Sequence, residues 1–242
     1  MRFTTQRRLD DGVLERDFLL GDVPGILWTT ESASAPAPLI LLGHPGGLRA
    51  MYPRLVTRAR SCVAEGFAAA TVELPGCGDR PRSATADEAR ADLRRAVRAG
   101  EPVDEIVDRL VLPLVDAAVP EWRGALDALL ALPDIGGPVG YAGGVMAIGV
   151  RLAVVEPRIS AALLFAGSFV PRSMVEEARR VSIPLLVLLQ WDDEDNDRQM
   201  ALDLFDAFGT RQKTLHANTG GHTGVPAFEG ESGNRFFARH LT

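Results

Sequence analysis

The amino-acid sequence predicts one α/β domain built on a doubly wound, mostly parallel sheet of eight strands. Short apolar runs alternate with segments of helical pattern along most of the chain, as in proteins made of βαβ units. Six of these runs are almost continuously apolar, which is typical of strands covered on both faces of a parallel sheet. The length of 242 residues, of which 46% are hydrophobic, suits a single core, so we predict one domain over residues 1–242.

The first two strands are predicted to pair as a β-hairpin. They cover residues 13–19 and 23–28, and the sequence Gly-Asp-Val-Pro supplies the turn. The stretch Ser-Ala-Ser-Ala-Pro-Ala-Pro at residues 32–38 then predicts a surface loop. The other strands are predicted at residues 39–43, 68–74, 137–141, 161–166, 184–190 and 213–217.

Helices are predicted between these strands, where they would cover both faces of the sheet. Their predicted positions are residues 53–65, 120–132, 146–156, 172–181, 197–208 and 226–240. The segment at residues 83–120 interrupts the alternation because it is charged and helical throughout. It can be a solvated helical hairpin or a small cap over the strand ends, and the two interpretations are compatible.

Composition and charge exclude several classes of partner. The 26 basic and 32 acidic residues give a net charge of −6, and the basic residues are spread along the chain, so nucleic acid is not expected to bind. No apolar run approaches the ~20 residues needed to span a bilayer. The first residues lack the apolar core of a signal peptide, and two cysteines do not make a disulfide framework. We therefore expect a cytoplasmic protein whose partner is a small molecule.

Four stretches of the sequence carry a resemblance to a known family. They are LLGHPGG at residues 41–47, ELPGCGDRPRS at 73–83, LLQWDDED at 188–195 and HANTGGHTGVPAFE at 216–229. In this order and spacing the chain resembles the α/β-hydrolase superfamily, and most closely its dienelactone-hydrolase-like branch. The resemblance covers nearly the whole chain and implies the α/β-hydrolase fold with a small cap insertion.

The resemblance also implies two catalytic side chains. In that family an acid follows the penultimate strand and a histidine follows the last, which places Asp193 and His222 in these roles. A carboxylate at the end of a buried strand can fix the imidazole tautomer and stabilise imidazolium, so His222 could act as a base. The neighbouring acids Asp192, Glu194 and Asp195 remain alternatives for the partner carboxylate.

The turn at residues 44–47 is expected to supply part of an oxyanion hole. Because Pro45 has no N–H, the amide is expected from Gly46 or Gly47. The second amide, which follows the nucleophile in this family, would belong to Met146. The resemblance also places His44 beside the predicted pocket.

The departure from the family lies at the turn between the predicted strand and helix near residue 143. Counting forward from the strand puts Val145 at the nucleophile position, whereas counting back from the helix puts Gly143 there, with a turn two residues shorter. Neither register supplies a hydroxyl or thiol. A nucleophile in such a turn has positive φ, which a β-branched residue tolerates poorly, so we expect Gly143 or Gly144 to carry that conformation.

Other side chains fall on the same rim of the predicted sheet. Ser168 and Cys77 are candidates for a displaced nucleophile, and Trp191 for a pocket wall. The histidines at positions 216 and 240 show no metal-ligand spacing with the cysteines at 62 and 77, so no metal or other cofactor is predicted.

These observations predict an α/β-hydrolase-fold enzyme that lacks the usual nucleophile. His222 and Asp193 would perform general-base chemistry, namely elimination, isomerisation, cyclisation or direct hydrolysis of a small carbonyl-containing substrate. The alternatives are a catalytically silent binding or scaffold protein, and an esterase with a displaced nucleophile.

Overall fold

The computed structural model describes residues 1–31, 35–194 and 196–241, so part of the predicted loop at residues 32–38 lies outside the described residues. The strands are β1 Arg2–Arg8, β2 Val13–Leu20, β3 Val23–Thr30, β4 Ala37–Gly43, β5 Ala68–Val72, β6 Ile135–Gly143, β7 Ile159–Phe165, β8 Leu185–Gln190 and β9 Lys213–Asn218. The helices are α1 Leu48–Ala64, α2 Ala84–Ala99, α3 Asp104–Leu130, α4 Met146–Val155, α5 Ser173–Ala178, α6 Arg198–Ala207 and α7 Phe228–His240.

The strands form one sheet in the order β1-β2-β3-β5-β4-β6-β7-β8-β9. The first three are antiparallel, whereas β4 to β9 run parallel, so the carboxyl ends of these six strands lie at one edge. The predicted count of eight strands was wrong, because the sheet of the described chain has nine. The sequence missed β1, whose seven residues are all exposed and carry no apolar alternation.

Helices cover both faces of the sheet, as predicted. One apolar core lies between the sheet and helices α3, α4, α5 and α6, where the rings of Trp122 and Tyr141 meet edge to face with centroids 6.0 Å apart. The other lies between the sheet and helices α1 and α7, and contains Leu55 and Phe237. The architecture is therefore doubly wound α/β.

Two predicted helix boundaries were wrong. Helix α1 begins at Leu48, five residues before the predicted start, and carries Pro53 inside its first two turns. The helix predicted at 120–132 is the end of α3, which begins at Asp104 and continues through Pro113 and Pro120. Proline disfavours a helix interior, but a stripe of buried side chains runs along α3 on both sides of these prolines, and its packing on the core outweighs the local cost.

Candidate active site

Asp193 and His222 meet at the carboxyl edge of the parallel strands. The first follows β8 and the second follows β9, and His222 Nδ1 lies 2.8 Å from Asp193 Oδ2. The Asp193 side chain is 2% exposed and that of His222 is 39% exposed. Because a carboxylate only accepts, Nδ1 carries the proton and Nε2 holds the lone pair. The Phe165 ring packs edge-on against the imidazole, with centroids 5.5 Å apart.

The neighbouring acids have other surroundings. Asp192 Oδ2 accepts a hydrogen bond from the amide of Gly220 at 3.0 Å. Glu194 is exposed, and Asp195 lies outside the described residues. Among the described acids of this loop, Asp193 is therefore the one bonded to the histidine.

The turn between β6 and α4 is built on two consecutive glycines. Gly143 and Gly144 have φ of +76° and +77°, a left-handed conformation that glycine adopts without steric cost. Val145 is the N-cap of α4 with extended backbone, φ −74° and ψ 118°. Positive φ was expected at residue 143 or 144, and it occurs at both. Ala142 to Val145 present no hydroxyl or thiol.

Close packing leaves little room for side chains at this turn. A Cβ on Gly144 would lie 2.8 Å from Gly43 Cα and 2.9 Å from His44 N, which are backbone atoms. A Cβ on Gly143 would lie 3.1 Å from both terminal nitrogens of Arg58. The turn is thus pressed against the end of β4 on one side and against an arginine on the other.

Arg58, on helix α1, joins the two turns of the site. Its Nη1 donates to the carbonyl of Gly43 at 3.1 Å and its Nη2 to that of Ala142 at 2.7 Å. Burial lowers the pKa of Arg58, although an arginine remains charged at neutral pH. Arg58 was not predicted, because an arginine within an amphipathic helix carries no local signal of such a role.

Among the described residues, Arg58 has no carboxylate partner. Every other half-buried arginine of the described chain lies against a carboxylate, namely Arg16, Arg60, Arg80, Arg90, Arg151 and Arg158. In the part of the chain that the structure describes, the side chain of Arg58 bonds to two carbonyl oxygens, so a positive charge lies beside the turn that carries Gly143.

A buried acid caps the helix that follows the predicted oxyanion turn. Both carboxylate oxygens of Glu73 accept from the amide of Leu48, at 3.0 and 3.2 Å. Burial raises the pKa of Glu73. This cap explains the early start of α1. The amides of Gly46 and Gly47, which precede the helix, have no partner among the described residues.

His44 was expected to line the pocket, but it lies in the interior. It is 2% exposed, and its Nε2 donates to the carbonyl of Val72 at 2.8 Å. Burial lowers the pKa of His44, which favours the neutral ring. Its contact ties the end of β4 to β5.

The two candidates for a displaced nucleophile are not bonded to His222. The hydroxyl of Ser168 is buried and has no hydrogen-bond partner among the described residues. Burial raises the pKa of the half-buried Cys77 thiol, which disfavours the reactive thiolate. Neither side chain is activated in this arrangement.

An open depression of about 520 Å³ adjoins the loop that follows β8 and carries Asp193. It is lined by Trp191, Asp192, Asp193 and Glu194 together with residues 196–199 at the start of α6. Trp191 is 41% exposed, and the Arg198 guanidinium lies over its ring, 4.4 Å from the centroid.

The remaining histidines are engaged elsewhere. His216 Nδ1 lies 2.8 Å from Glu229 Oε2, and His240 packs against the ring of Phe236. In residues 1–31, 35–194 and 196–241, three or more potential metal ligands nowhere converge. Over the same residues, no helix is both long enough and apolar enough to cross a bilayer.

Comparisons with solved structures support the fold. A cold-adapted esterase from an Arctic intertidal metagenomic library, in a PEG-bound complex, is 29% identical over 100% of both chains, with a TM-score of 0.78. A putative dienelactone hydrolase from Klebsiella pneumoniae is 14% identical over 94% of this chain and 99% of its own, with a TM-score of 0.69. Acetyl xylan esterase 1 from Thermoanaerobacterium sp. is 12% identical over 98% and 87%, with a TM-score of 0.66.

The chain therefore has an α/β-hydrolase-like fold. No profile of a known protein family matches the sequence. No curated protein matches it either.

Proposed function

We propose that this chain is an enzyme in which the Asp193–His222 pair acts as a general base on a small carbonyl-containing substrate, without a covalent enzyme intermediate. The observation that carries the proposal is the 2.8 Å bond between His222 and a carboxylate that is 2% exposed. Such a bond holds the imidazole in one tautomer and stabilises the imidazolium that forms when Nε2 takes a proton. General-base action contributes roughly 10²–10⁴-fold in rate.

The proton would come from the substrate or from water. Removal of a proton beside a carbonyl would lead to elimination, isomerisation or cyclisation, and removal from water would lead to direct hydrolysis. Negative charge that develops on the carbonyl oxygen would be stabilised by the amides of Gly46, Gly47 and Met146. The positive charge of Arg58, which has no carboxylate partner among the described residues, would favour the same oxyanion. In this proposal, α2 and the first half of α3 form the cap insertion of a single domain.

One observation favours a second function, a catalytically silent binding protein. The turn at Gly143 and Gly144 is closed against Gly43 and Arg58, so neither position has room for a nucleophilic side chain unless its neighbours move. An esterase with a displaced nucleophile gains no such support, because no base among the described residues is bonded to Ser168 and burial raises the pKa of Cys77.

The test is a substrate panel covering ester hydrolysis, elimination and isomerisation of small carbonyl compounds. Asp193→Asn keeps the shape of the acid and removes its charge, and His222→Gln removes the base. The matched control is His216→Gln, which breaks the other histidine–carboxylate pair of the described chain. We expect activity to fall roughly 10²–10⁴-fold in the first two variants and to stay near wild type in the control.

Activity that survives both Asp193→Asn and His222→Gln would overturn the general-base proposal. A wild type that turns over nothing in the panel, yet shows saturable binding of a carbonyl ligand, would establish the silent binding protein instead.

A further inference from the structure

Gln190 is the one polar residue of strand β8. Residues 185–189 are leucine and valine, all buried, and Gln190 at the end of the strand is also buried, at 1% exposed. An apolar side chain here would continue the pattern of the strand. The presence of an amide in this position therefore calls for a physical reason.

The side-chain amide of Gln190 is only half satisfied. Its Nε2 donates to the carbonyl oxygen of Gly221 at 3.3 Å, whereas its Oε1 is buried and has no partner among the described residues. A buried polar atom without a partner is costly and is uncommon in native proteins. Among the described residues, the hydrogen bond that Nε2 donates to Gly221 is therefore the interaction that offsets the cost of burying this amide.

That bond reaches the residue immediately before His222. The same histidine loop is held by the backbone of the next two residues, since the amide of Trp191 donates to Asn218 O at 2.7 Å and that of Asp192 to Gly220 O at 3.3 Å. Gly220 packs on the glutamine, because a Cβ on it would lie 3.4 Å from Gln190 Nε2. Residues 190–192 therefore hold the loop of His222, and Asp193 follows them directly.

We propose that Gln190 is a positioning residue that sets His222 against Asp193. Because its amide holds the Gly221 carbonyl, Gln190 limits the movement of the loop that carries His222 relative to the loop that carries Asp193. The second of these loops begins at Gln190 itself, at the end of β8. The consequence for catalysis rests on the proposed function, whereas the consequence for the His222–Asp193 contact does not.

The experiment compares Gln190→Met, which keeps the approximate volume and removes the donor, with Gln190→Glu, which places an acceptor against the Gly221 carbonyl. Gln6→Met, at an exposed position on β1, is the matched control. Protein labelled with ¹⁵N-histidine contains four histidines, and His222→Gln assigns the His222 imidazole. The signal followed is the hydrogen-bonded Nδ1–H of His222, with that of His216 bonded to Glu229 as an internal reference.

We expect the His222 Nδ1–H signal to be lost or broadened in both Gln190 variants and retained in Gln6→Met, while the His216 signal persists in all three. In an enzyme active on the panel, kcat should fall at least tenfold with little change in KM. An unchanged His222 signal in both Gln190 variants would overturn the proposal. Loss of the His216 signal in both would overturn it as well, because the side chain would then serve the general stability of β8.

The outcomes for the two proposals are distinguishable. A wild type that is inactive on every substrate, but whose His222 signal depends on Gln190, would refute the proposed function and support the positioning role. An active wild type whose His222 signal is unchanged in the Gln190 variants would support the proposed function and refute the positioning role.

Discussion

The guanidinium of Arg58 lies directly against Gly143, so that a Cβ on this glycine would be 3.1 Å from both of its terminal nitrogens. The same guanidinium holds the carbonyls of Gly43 and Ala142, which precede the two turns of the candidate site. The guanidinium of Arg58 therefore occupies the space that a side chain at position 143 would need. A side chain at 143 could enter only if the Arg58 guanidinium shifted by a few tenths of an ångström.

Gly144 is confined by neighbouring backbone, and alanine substitutions at Gly144 and at the open Gly12 can measure the cost of that confinement. Gly12 has nearly the same φ, +79°, but nothing lies within 4 Å of a Cβ built on it. Gly12→Ala should lose about 1–2 kcal/mol of unfolding free energy for the left-handed backbone alone. Gly144→Ala should lose a further ~1–3 kcal/mol, because its Cβ would lie 2.8 Å from the backbone of Gly43. Urea denaturation measures both, and equal losses would contradict the packing argument.

A serine at position 145 should stabilise helix α4 without creating an esterase. Val145 is the N-cap and supplies no side-chain cap, whereas serine accepts from the first free amides of a helix. Val145→Ser should be about 1 kcal/mol more stable than the control Val145→Ala in thermal unfolding. Neither variant should hydrolyse a p-nitrophenyl ester faster than wild type, because residue 145 lies beyond the left-handed turn. Hydrolysis that appears in the serine variant and depends on His222 would show that residue 145 holds the nucleophile position.

Serine-directed fluorophosphonate probes should not label the wild-type protein. Residues 142–145 offer no hydroxyl, and that of Ser168 is buried and has no bonded base among the described residues. Intact-mass spectrometry after incubation with the probe is the measurement, with a serine hydrolase as positive control. Stoichiometric labelling that disappears in Ser168→Ala would establish a displaced nucleophile.

Acid should weaken the ion pair between Glu156 and Arg158, which lies in the segment that joins α4 to β7. Hydrogen bonds from Arg158 lower the pKa of Glu156 from 4.5 to about 2, and its side chain is 1% exposed. A carboxylate with a lowered folded-state pKa stabilises the fold above pH 4.5, and this contribution is lost as the pH falls through about 2. Glu156→Gln should therefore cost about 2–3 kcal/mol at pH 7 and progressively less between pH 4.5 and 2.

Denaturation of Glu156→Gln across that pH range should be compared with Glu176→Gln. Glu176 pairs with Arg179 at the surface, where it is 74% exposed, so its variant should change stability by about 0.5 kcal/mol or less at every pH. A constant deficit of Glu156→Gln from pH 7 to pH 2 would refute the role of its ionisation.

The resemblance to the α/β-hydrolase superfamily predicted the roles of Asp193 and His222, and chain order agrees with their contact. Both residues lie in loops that follow neighbouring parallel strands, and the carboxyl ends of such strands meet at one edge. The local sequence pattern gave wrong helix boundaries where tertiary packing outweighed it. Helix α3 continues through two prolines because its apolar stripe is buried, and α1 begins early because Glu73, distant in sequence, caps it.

The sequence by itself determined the α/β architecture, the edge of the sheet that carries the candidate site, and the absence of a hydroxyl or thiol at residues 142–145. These features depend on periodicity, chain order and residue identity, all of which are local properties. Only the tertiary structure decided that Asp193 is the described acid bonded to His222, that Arg58 lies beneath the glycine turn, and that Gln190 reaches Gly221. These contacts depend on distances of about 3 Å between segments far apart in the chain, and no local pattern of residues encodes such distances.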